Sequence, residues 1–482
     1  MLKKLKKALE KQSLQLALIL ALALLLRLYR INNPVADWHA FRQADTASVT
    51  REYLKADKID LLRPHYQDLS NIQSGHDNLE GYRMVEFPLI NACLASILKI
   101  FQGLDLVIFS RFASVFISLL TMFVLYQLVK EVSGKKMAIL STFVYAVLPY
   151  SIYYSRVILP EPYFLFFSTL SIWQFYLFAK TKKWFPYLLT LLGLALAALL
   201  KPFVVFLAPV YLLIIWQFRH NKILKDPRVY LLPILAFTPM FLWREWIKNF
   251  PTGIPVSDWL FNGNGIRFRP AWFRWLFYER LSKLFLGYFG VIFLLANLFK
   301  NGKDYYLYAA WWSGVLLYFI VIASGNVQHD YYQNFILPIV AISIARGLII
   351  SYEKLSEKIS RIISFIITSL IFALSLFFSW QQIAGYFNVN HWEYVKTGAV
   401  VDQLVGKSAL VIAPAMGDTQ FLFQTNRRGW PIGFEIEDKI AKGATIYASG
   451  SYDWEAKALE EKYQVIAKTS DYIIIDLKTK KP

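Results

Sequence analysis

One cysteine, Cys93, stands among 482 residues, so no disulfide can form within the chain and no multi-cysteine zinc or iron–sulfur site can be built. Histidine is scarce as well. The six, at positions 39, 65, 76, 220, 329 and 391, never reach the HExxH spacing or another tight metal-ligand pattern, so a divalent cation has no support. The Walker loop, the GxSxG elbow and the Rossmann fingerprint are missing too. Internal repeats and low-complexity tracts are absent. Charge is thin, at 18% against about 25% in soluble domains. What charge there is leans one way, with 52 Lys and Arg against 33 Asp and Glu, a net +19.

What is present in quantity is apolar. Hydrophobic residues make up 56% of the chain and aromatics 17%, with a mean hydropathy of +0.39. That excludes a disordered chain and speaks against an ordinary cytosolic enzyme. The basic excess could suit nucleic acid, but in so apolar a chain it suits a bilayer, where Lys and Arg flank the spans. The expected class is an α-helical polytopic membrane protein.

A spanning helix needs roughly 17–25 mostly apolar residues. Such runs lie near 12–29, 111–130, 137–155, 162–179, 186–200, 203–219, 229–247, 284–299, 305–323, 335–350 and 361–380, about eleven spans. The stretch 88–102 is a twelfth apolar run, short and interrupted by Asn91 and Lys99. No small-residue cleavage site follows residues 12–29, so they read as an uncleaved anchor. With a cytoplasmic amino terminus and 88–102 not crossing, the cytoplasmic segments hold nineteen Lys and Arg against six Asp and Glu, as the positive-inside rule expects. Were 88–102 to cross, the bias would reverse. It is therefore expected to lie in, or re-enter, the outer interface. Segments 30–110, 156–161, 248–283, 324–334 and everything after 380 are then extracytoplasmic, with the protein in the inner (plasma) membrane.

Residues 385–482 change character. Apolar strand-like runs at 409–414, 444–449 and 472–476 alternate with helical stretches such as 453–463. This predicts a small C-terminal α/β domain outside the membrane, following a membrane domain over 1–384 whose first outer loop is 30–110.

The polar clusters fall in the outer segments. In ADWHAFRQADTASVTREYL, residues 36–54, Asp37, His39, Arg42, Gln43 and Asp45 crowd into nine positions. With a helix from Phe41 onward, Arg42 and Asp45 share a face at i and i+3. A carboxylate beside an Arg suits a general base or a base next to an anion clamp. An interfacial helix with an ordinary surface ion pair is the plain alternative. Glu86, before Phe87-Pro88, is either a second carboxylate of a site or a charge capping the following helix. Arg111 opens the next span, where snorkelling is its plain role. Arg156 and Glu161, the latter between two prolines, sit in an irregular turn at membrane depth, where ionisable groups are functional by default unless they simply pair. Lys201 lies between two apolar runs with a break expected at Lys201-Pro202, placed to meet a lipid phosphate. Arg267 and Arg269, with Arg274 and Arg280, interleave with aromatics in 248–283, an interfacial pattern for anionic headgroups or a phosphorylated lipid. Basic–aromatic interleaving also suits single-stranded nucleic acid, but an outer compartment makes that a poor partner. His329, Asp330 and Tyr331 close the set, in SGNVQHDYYQNFILP. There His329 could donate to a phosphate or sugar oxygen, or simply pair with Asp330.

WHAFRQADTA, EFPL, the span opened by Arg111, SRVILPEP, LKP and HDYYQ follow one another in an order that resembles the bacterial relatives of the dolichyl-phosphate-mannose protein mannosyltransferases. These are GT-C membrane glycosyltransferases, and the lipid A aminoarabinose transferase is similar. The resemblance covers about residues 1–350, and the tail resembles the small extracytoplasmic domain such proteins often have. It implies a GT-C-like helical domain with outer juxtamembrane helices. It also implies a polyprenyl-phosphate sugar as donor and a lipid, glycan or protein as acceptor.

An acidic residue of the first outer loop is then the expected base. The Asp-Glu pair of many relatives is missing, so Asp37 and Asp45 compete, with Asp45 ahead for lying in RQADTA. Glu161 matches an acidic position of the relatives, and Arg156 and Lys201 would bind phosphate. No metal is required, since cationic side chains can meet the charge of a monophosphate leaving group. A transporter or flippase of a lipid-linked or anionic substrate is the alternative. It would call for polar groups near mid-bilayer and paired broken helices.

Overall fold

The computed structural model describes the backbone of residues 2–299, 302 and 304–482, and the side chains of 13–298, 302 and 304–482. The basic side chains of the amino-terminal arm and of Lys300 and Lys303, on which the sidedness reading partly rests, lie outside that set. Ten helices lead the chain: α1 (Leu2–Arg27), α2 (Ala40–Lys55), α3 (Leu89–Ile100), α4 (Leu106–Ser133), α5 (Lys135–Val147), α6 (Pro149–Tyr154), α7 (Glu161–Thr181), α8 (Trp184–Leu200), α9 (Ala208–Gln217) and α10 (Pro227–Ile247). Later long helices run over Tyr305–Val321, Leu337–Ser356 and Arg361–Ile383. Three stretches, Leu106–Ser133, Asp330–Ser356 and Arg361–Leu404, are long and apolar enough to cross a membrane, and shorter apolar helices accompany them. The chain is a multi-pass membrane protein.

Several expected spans are not single α-helices. The run 137–155 breaks after Val147, because Pro149 restricts Leu148 to extended backbone (ψ 122°) before α6 begins. The same effect at Pro202 holds Lys201 extended, ends α8, and leaves Pro202–Leu207 as a 3-10 turn ahead of α9. The run 284–299 departs furthest. A π-helix over Arg274–Phe285 leads into Gly287 and Tyr288, both at positive φ, and only Val291–Ala296 resumes as α-helix. A side chain at Gly287 would strike the carbonyl of Ser375, so this turn exists only because glycine lets two backbones touch. The carbonyls freed there are taken by Ser375 Oγ on Leu286 O (2.6 Å) and Ser379 Oγ on Leu284 O (2.7 Å). A broken helix among spans needs such partners.

By internal contacts the chain forms two units: residues 1–31, 112–242 and 257–385, and residues 32–111, 243–256 and 386–482. This division differs from the boundary expected at 384/385. The first outer loop folds with the C-terminal segment rather than with the spans.

The first unit is the helical one. In the second, a sheet of order β2-β1-β3-β5-β4 combines β1 (Leu410–Ile412), β2 (Arg428–Trp430), β3 (Ala444–Ser449), β4 (Tyr463–Lys468) and β5 (Ile473–Lys480). β1 pairs in parallel with β2 and β3, while β5 runs antiparallel to β3 and β4. Val411, Ile446 and Ile474 pack on one face with Phe421 and Leu422; Ile412, Tyr447 and Ile475 pack on the other with Ala456 and Leu459. The outer loop extends this sheet: Leu69 N donates to Gly429 O and Gly429 N to Gln67 O, a parallel bridge on the edge of β2. Leu69 then enters the sheet's core.

α3, the doubtful apolar run, spans about 18 Å by its twelve residues, short of a ~30 Å hydrocarbon core. It buries Ala92 and Ala95 in a cluster with Val49 and Tyr53 of α2.

Candidate active site

In the second unit, α2 carries the densest predicted cluster and buries most of its polar residues. His39, just before it, sits in left-handed backbone (φ 56°), a conformation a non-glycine residue holds only where its surroundings impose it. Its ring lies edge-on to Trp38 and Phe41. Asp37 is buried. Gln43 Nε2 donates to its Oδ1 (2.8 Å) and Arg111, from the first turns of α4, to its Oδ2 (3.1 Å). Arg111 therefore does not snorkel; it is an interior cation that also donates to Asn33 O.

The expected pairing of Arg42 with Asp45 does not form. Arg42 reaches Glu86 instead (2.5 Å), and Asp45 pairs with Arg83 (3.0 Å). Glu86 is thus an ion-pair partner, and the N-cap of α3, Pro88, makes no side-chain cap.

Asp45 is enclosed by its own unit. Arg83 and Gln73 Nε2 (3.0 Å) both donate to Oδ2, and Thr419 Oγ1 lies 2.7 Å from Oδ1. Two further carboxyls feel its charge. Burial foremost, with Asp45 adding to it, pushes Asp68 up to about 6 against a bond from Ser70 N. Burial likewise lifts Asp418 to about 6, opposed by a bond from Gln420 N, with Asp45 adding to the rise and His391 opposing it. Arg83, Gln73 and Thr419 escaped the sequence reading because nothing local marks them. Thr419 stands 374 positions from its partner.

In the first unit, Lys201 pairs with Glu161 (3.2 Å) and its ammonium lies over the Tyr332 ring (5.6 Å). Glu161 thus meets Lys201 rather than Arg156. Arg156 is buried, donates to Arg30 O (2.8 Å) and lies over Tyr153. Asp330 accepts from Tyr154 OH (2.5 Å), faces Arg280 at 3.8 Å, and offers its carbonyl to Tyr150 OH. The His329 ring stacks on Tyr331 (5.2 Å) and meets Trp259 edge-on. Arg267 donates to the carbonyls of Phe261 and Val321, while Arg269 is exposed. Arg27, which the sequence reading passed over, is fully buried and donates to Ala23 O, Ala146 O and Ser151 Oγ. Among the described residues no group of three or more His, Cys, Asp or Glu is placed to hold a metal ion.

Within the second unit Asp37 meets Gln43 and Arg111, and Arg42 meets Glu86. Within the first, Glu161 meets Lys201 and His329 meets Tyr331. Chemically, these are oriented carboxylates and interior cations, the groups for taking a proton from a hydroxyl and binding a phosphate.

The sequence model of the family described as dolichyl-phosphate-mannose-protein mannosyltransferase matches residues 93–246. No curated protein matches the chain. Among solved structures, ArnT from Cupriavidus metallidurans bound to undecaprenyl phosphate superposes with a TM-score of 0.65 at 11% identity, covering 95% of this chain and 97% of that one. The archaeal oligosaccharyltransferase AglB from Archaeoglobus fulgidus, in complex with an inhibitory peptide and a dolichol-phosphate, gives 0.59 at 10% identity, covering 96% and 74%. The chain has the fold of the GT-C membrane enzymes, as the order of its motifs implied.

Proposed function

We propose that this chain is a membrane glycosyltransferase that moves a sugar from a polyprenyl-phosphate donor to an acceptor hydroxyl on the extracytoplasmic face. The observation that carries the reading is Asp37, a buried carboxylate fixed by Gln43 and Arg111. It lies in the loop where the family resemblance expects the base, on a GT-C fold. The undecaprenyl phosphate of the ArnT structure and the dolichol-phosphate of the AglB structure support a lipid phosphate as the donor's anchor. The positive-inside bias supports an inner-membrane protein with a cytoplasmic amino terminus and an outer C-terminal segment.

Asp37 takes precedence over Asp45 as base in this reading. Asp45 is tied to the outer loop through Arg83 and Gln73 and to the C-terminal segment through Thr419, which suits a carboxylate that holds those parts of its unit together. Asp37 accepts from Gln43 on Oδ1 and from Arg111 on Oδ2, which fixes its orientation as a base requires.

The acceptor oxygen attacks the sugar's C1 while Asp37 takes its proton. The bond from C1 to the phosphate oxygen breaks, and polyprenyl phosphate leaves with the electron pair. A single displacement of this kind inverts the anomeric centre. Arg156 and Lys201 bind the phosphate and meet its growing charge, and Arg267, Arg269 and His329 add donors toward donor headgroup or sugar. No metal ion is needed in this scheme. The acceptor is a lipid, a glycan or a protein.

The test is direct. The purified chain, reconstituted in nanodiscs, is given polyprenyl-phosphate hexoses, pentoses and aminopentoses together with envelope acceptors. Mass spectrometry should detect free polyprenyl phosphate and a heavier acceptor for at least one donor. Folded protein that discharges none of them refutes the proposal.

A further inference from the structure

The C-terminal segment lends a hydroxyl to the helix that carries the proposed site. Thr419 is buried, and its Oγ1 lies 2.7 Å from Asp45 Oδ1 and 3.2 Å from Phe41 O. A hydroxyl has one proton to donate, so this one is shared across the first turn of α2. The two acceptors bracket Arg42 and Gln43, the side chains that hold Glu86 and Asp37. Thr419 is itself held: Gln67 Nε2 donates to its carbonyl (3.0 Å), and Arg51 of α2 donates to Gln67 Oε1 and to Phe423 O (2.7 Å). The Arg51 guanidinium also covers the Phe423 ring at 4.2 Å. Gln67 lies on the edge strand that joins β2. The loop, α2 and the sheet are thus closed into a ring of buried polar contacts with Thr419 at its centre.

So many desolvated polar groups cost more than apolar packing would unless every partner is met. Their convergence on one turn fixes that turn's position.

We infer that Thr419 is a positioning residue for sugar transfer: it acts through the first turn of α2 to set Gln43 against Asp37. This rests on the functional reading above for its catalytic consequence, but its structural half stands alone. A misplacement of about 1 Å can cost roughly a hundredfold in rate. Removing the hydroxyl with Thr419→Val should lower kcat by about tenfold or more while leaving KM for the lipid donor unchanged. Thr419→Ser, which restores the donor, should recover it.

The experiment measures both halves on the full chain in nanodiscs. Hydrogen exchange of residues 40–46 should speed up in Thr419→Val and return to the wild-type rate in Thr419→Ser. Transfer rates, expressed per folded molecule, should follow the same order. If Thr419→Val fails to fold, Gln67→Met, which removes the anchor on the Thr419 carbonyl, takes its place with the same expected loss. Unchanged exchange in 40–46 overturns the inference, as does wild-type kcat in the valine variant or a serine variant as impaired as valine. An inactive wild type overturns the functional reading instead, and the exchange result still decides whether Thr419 holds α2.

Discussion

Asp68 should make the second unit more stable at pH 5 than at pH 7, and Asp68→Asn should remove most of that difference. Its side chain is fully buried, with Oδ1 accepting from Ser70 N (2.8 Å) and Oδ2 accepting nothing. Burial lifts it from 3.8 to about 6, a shift of about two units and so on the order of 3 kcal/mol. A carboxyl raised in the folded state binds its proton more tightly there than in the unfolded chain. Its protonation therefore favours folding fully below about 4, and the advantage is lost as pH rises through about 6. Asp418, also lifted to about 6 by burial, acts in the same direction. Asp402 opposes them only lower down. Despite its burial, bonds from Lys407, Arg427 and Asn426 hold it at about 2, so its contribution fades below about 4. Glu460, held below its usual range chiefly by Lys468, likewise opposes them only toward the acid end, so the rise up to about 6 is carried by Asp68 and Asp418. Hydrogen exchange of residues 65–70 and 410–430, corrected for intrinsic rates, should show greater protection at pH 5 than at pH 7. Asp68→Asn, an isostere of the protonated acid, should raise protection at pH 7 and flatten the profile. Greater protection at pH 7 in the wild type, or an unchanged slope in the variant, would refute the reasoning.

Three other outcomes follow from single contacts. A Cβ at Gly429 would fall on Val411 O, so Gly429→Ala should strip the bridge to residues 67–69 and lower the melting temperature, at a cost of roughly 1–3 kcal/mol. Arg83→Met leaves the buried Asp45 carboxylate without its cation and should destabilise the second unit by about 3 kcal/mol, measured by denaturant unfolding followed by exchange. Lys201→Met removes the partner of Glu161 and should raise KM for a lipid-phosphate donor at least several-fold; an unchanged KM would take Lys201 out of phosphate binding.

The parts of the fold that were legible in the sequence are those written in local periodicity. Most of the apolar runs became helices, the strands 410–412 and 444–449 and the start of 473–480 fall within the expected runs, and the helix Trp454–Lys462 appears where helical spacing placed it. The breaks at Pro149 and Pro202 follow from single prolines. The π-helix and the turn at Gly287 do not, because they depend on how closely the backbone of Ser375 approaches. At the site, the cluster of Asp37, Gln43 and Arg42 was visible as density, but its pairings were not. Arg42 and Asp45 are neighbours by helical spacing, yet each finds a better partner from elsewhere, Glu86 and Arg83. Which ion pair forms is decided by tertiary placement over tens of residues. The Thr419 contact lies further still beyond anything a local pattern encodes.

The measurement that bears most directly on the account compares Asp37→Asn with Asp45→Asn in a sugar-transfer assay on folded, reconstituted protein with a polyprenyl-phosphate donor. Loss of the base should lower turnover in Asp37→Asn by about a hundredfold or more with donor binding retained, whereas Asp45→Asn should lose mainly stability. Near wild-type turnover in Asp37→Asn, or chemistry abolished by Asp45→Asn alone in well-folded protein, would contradict it.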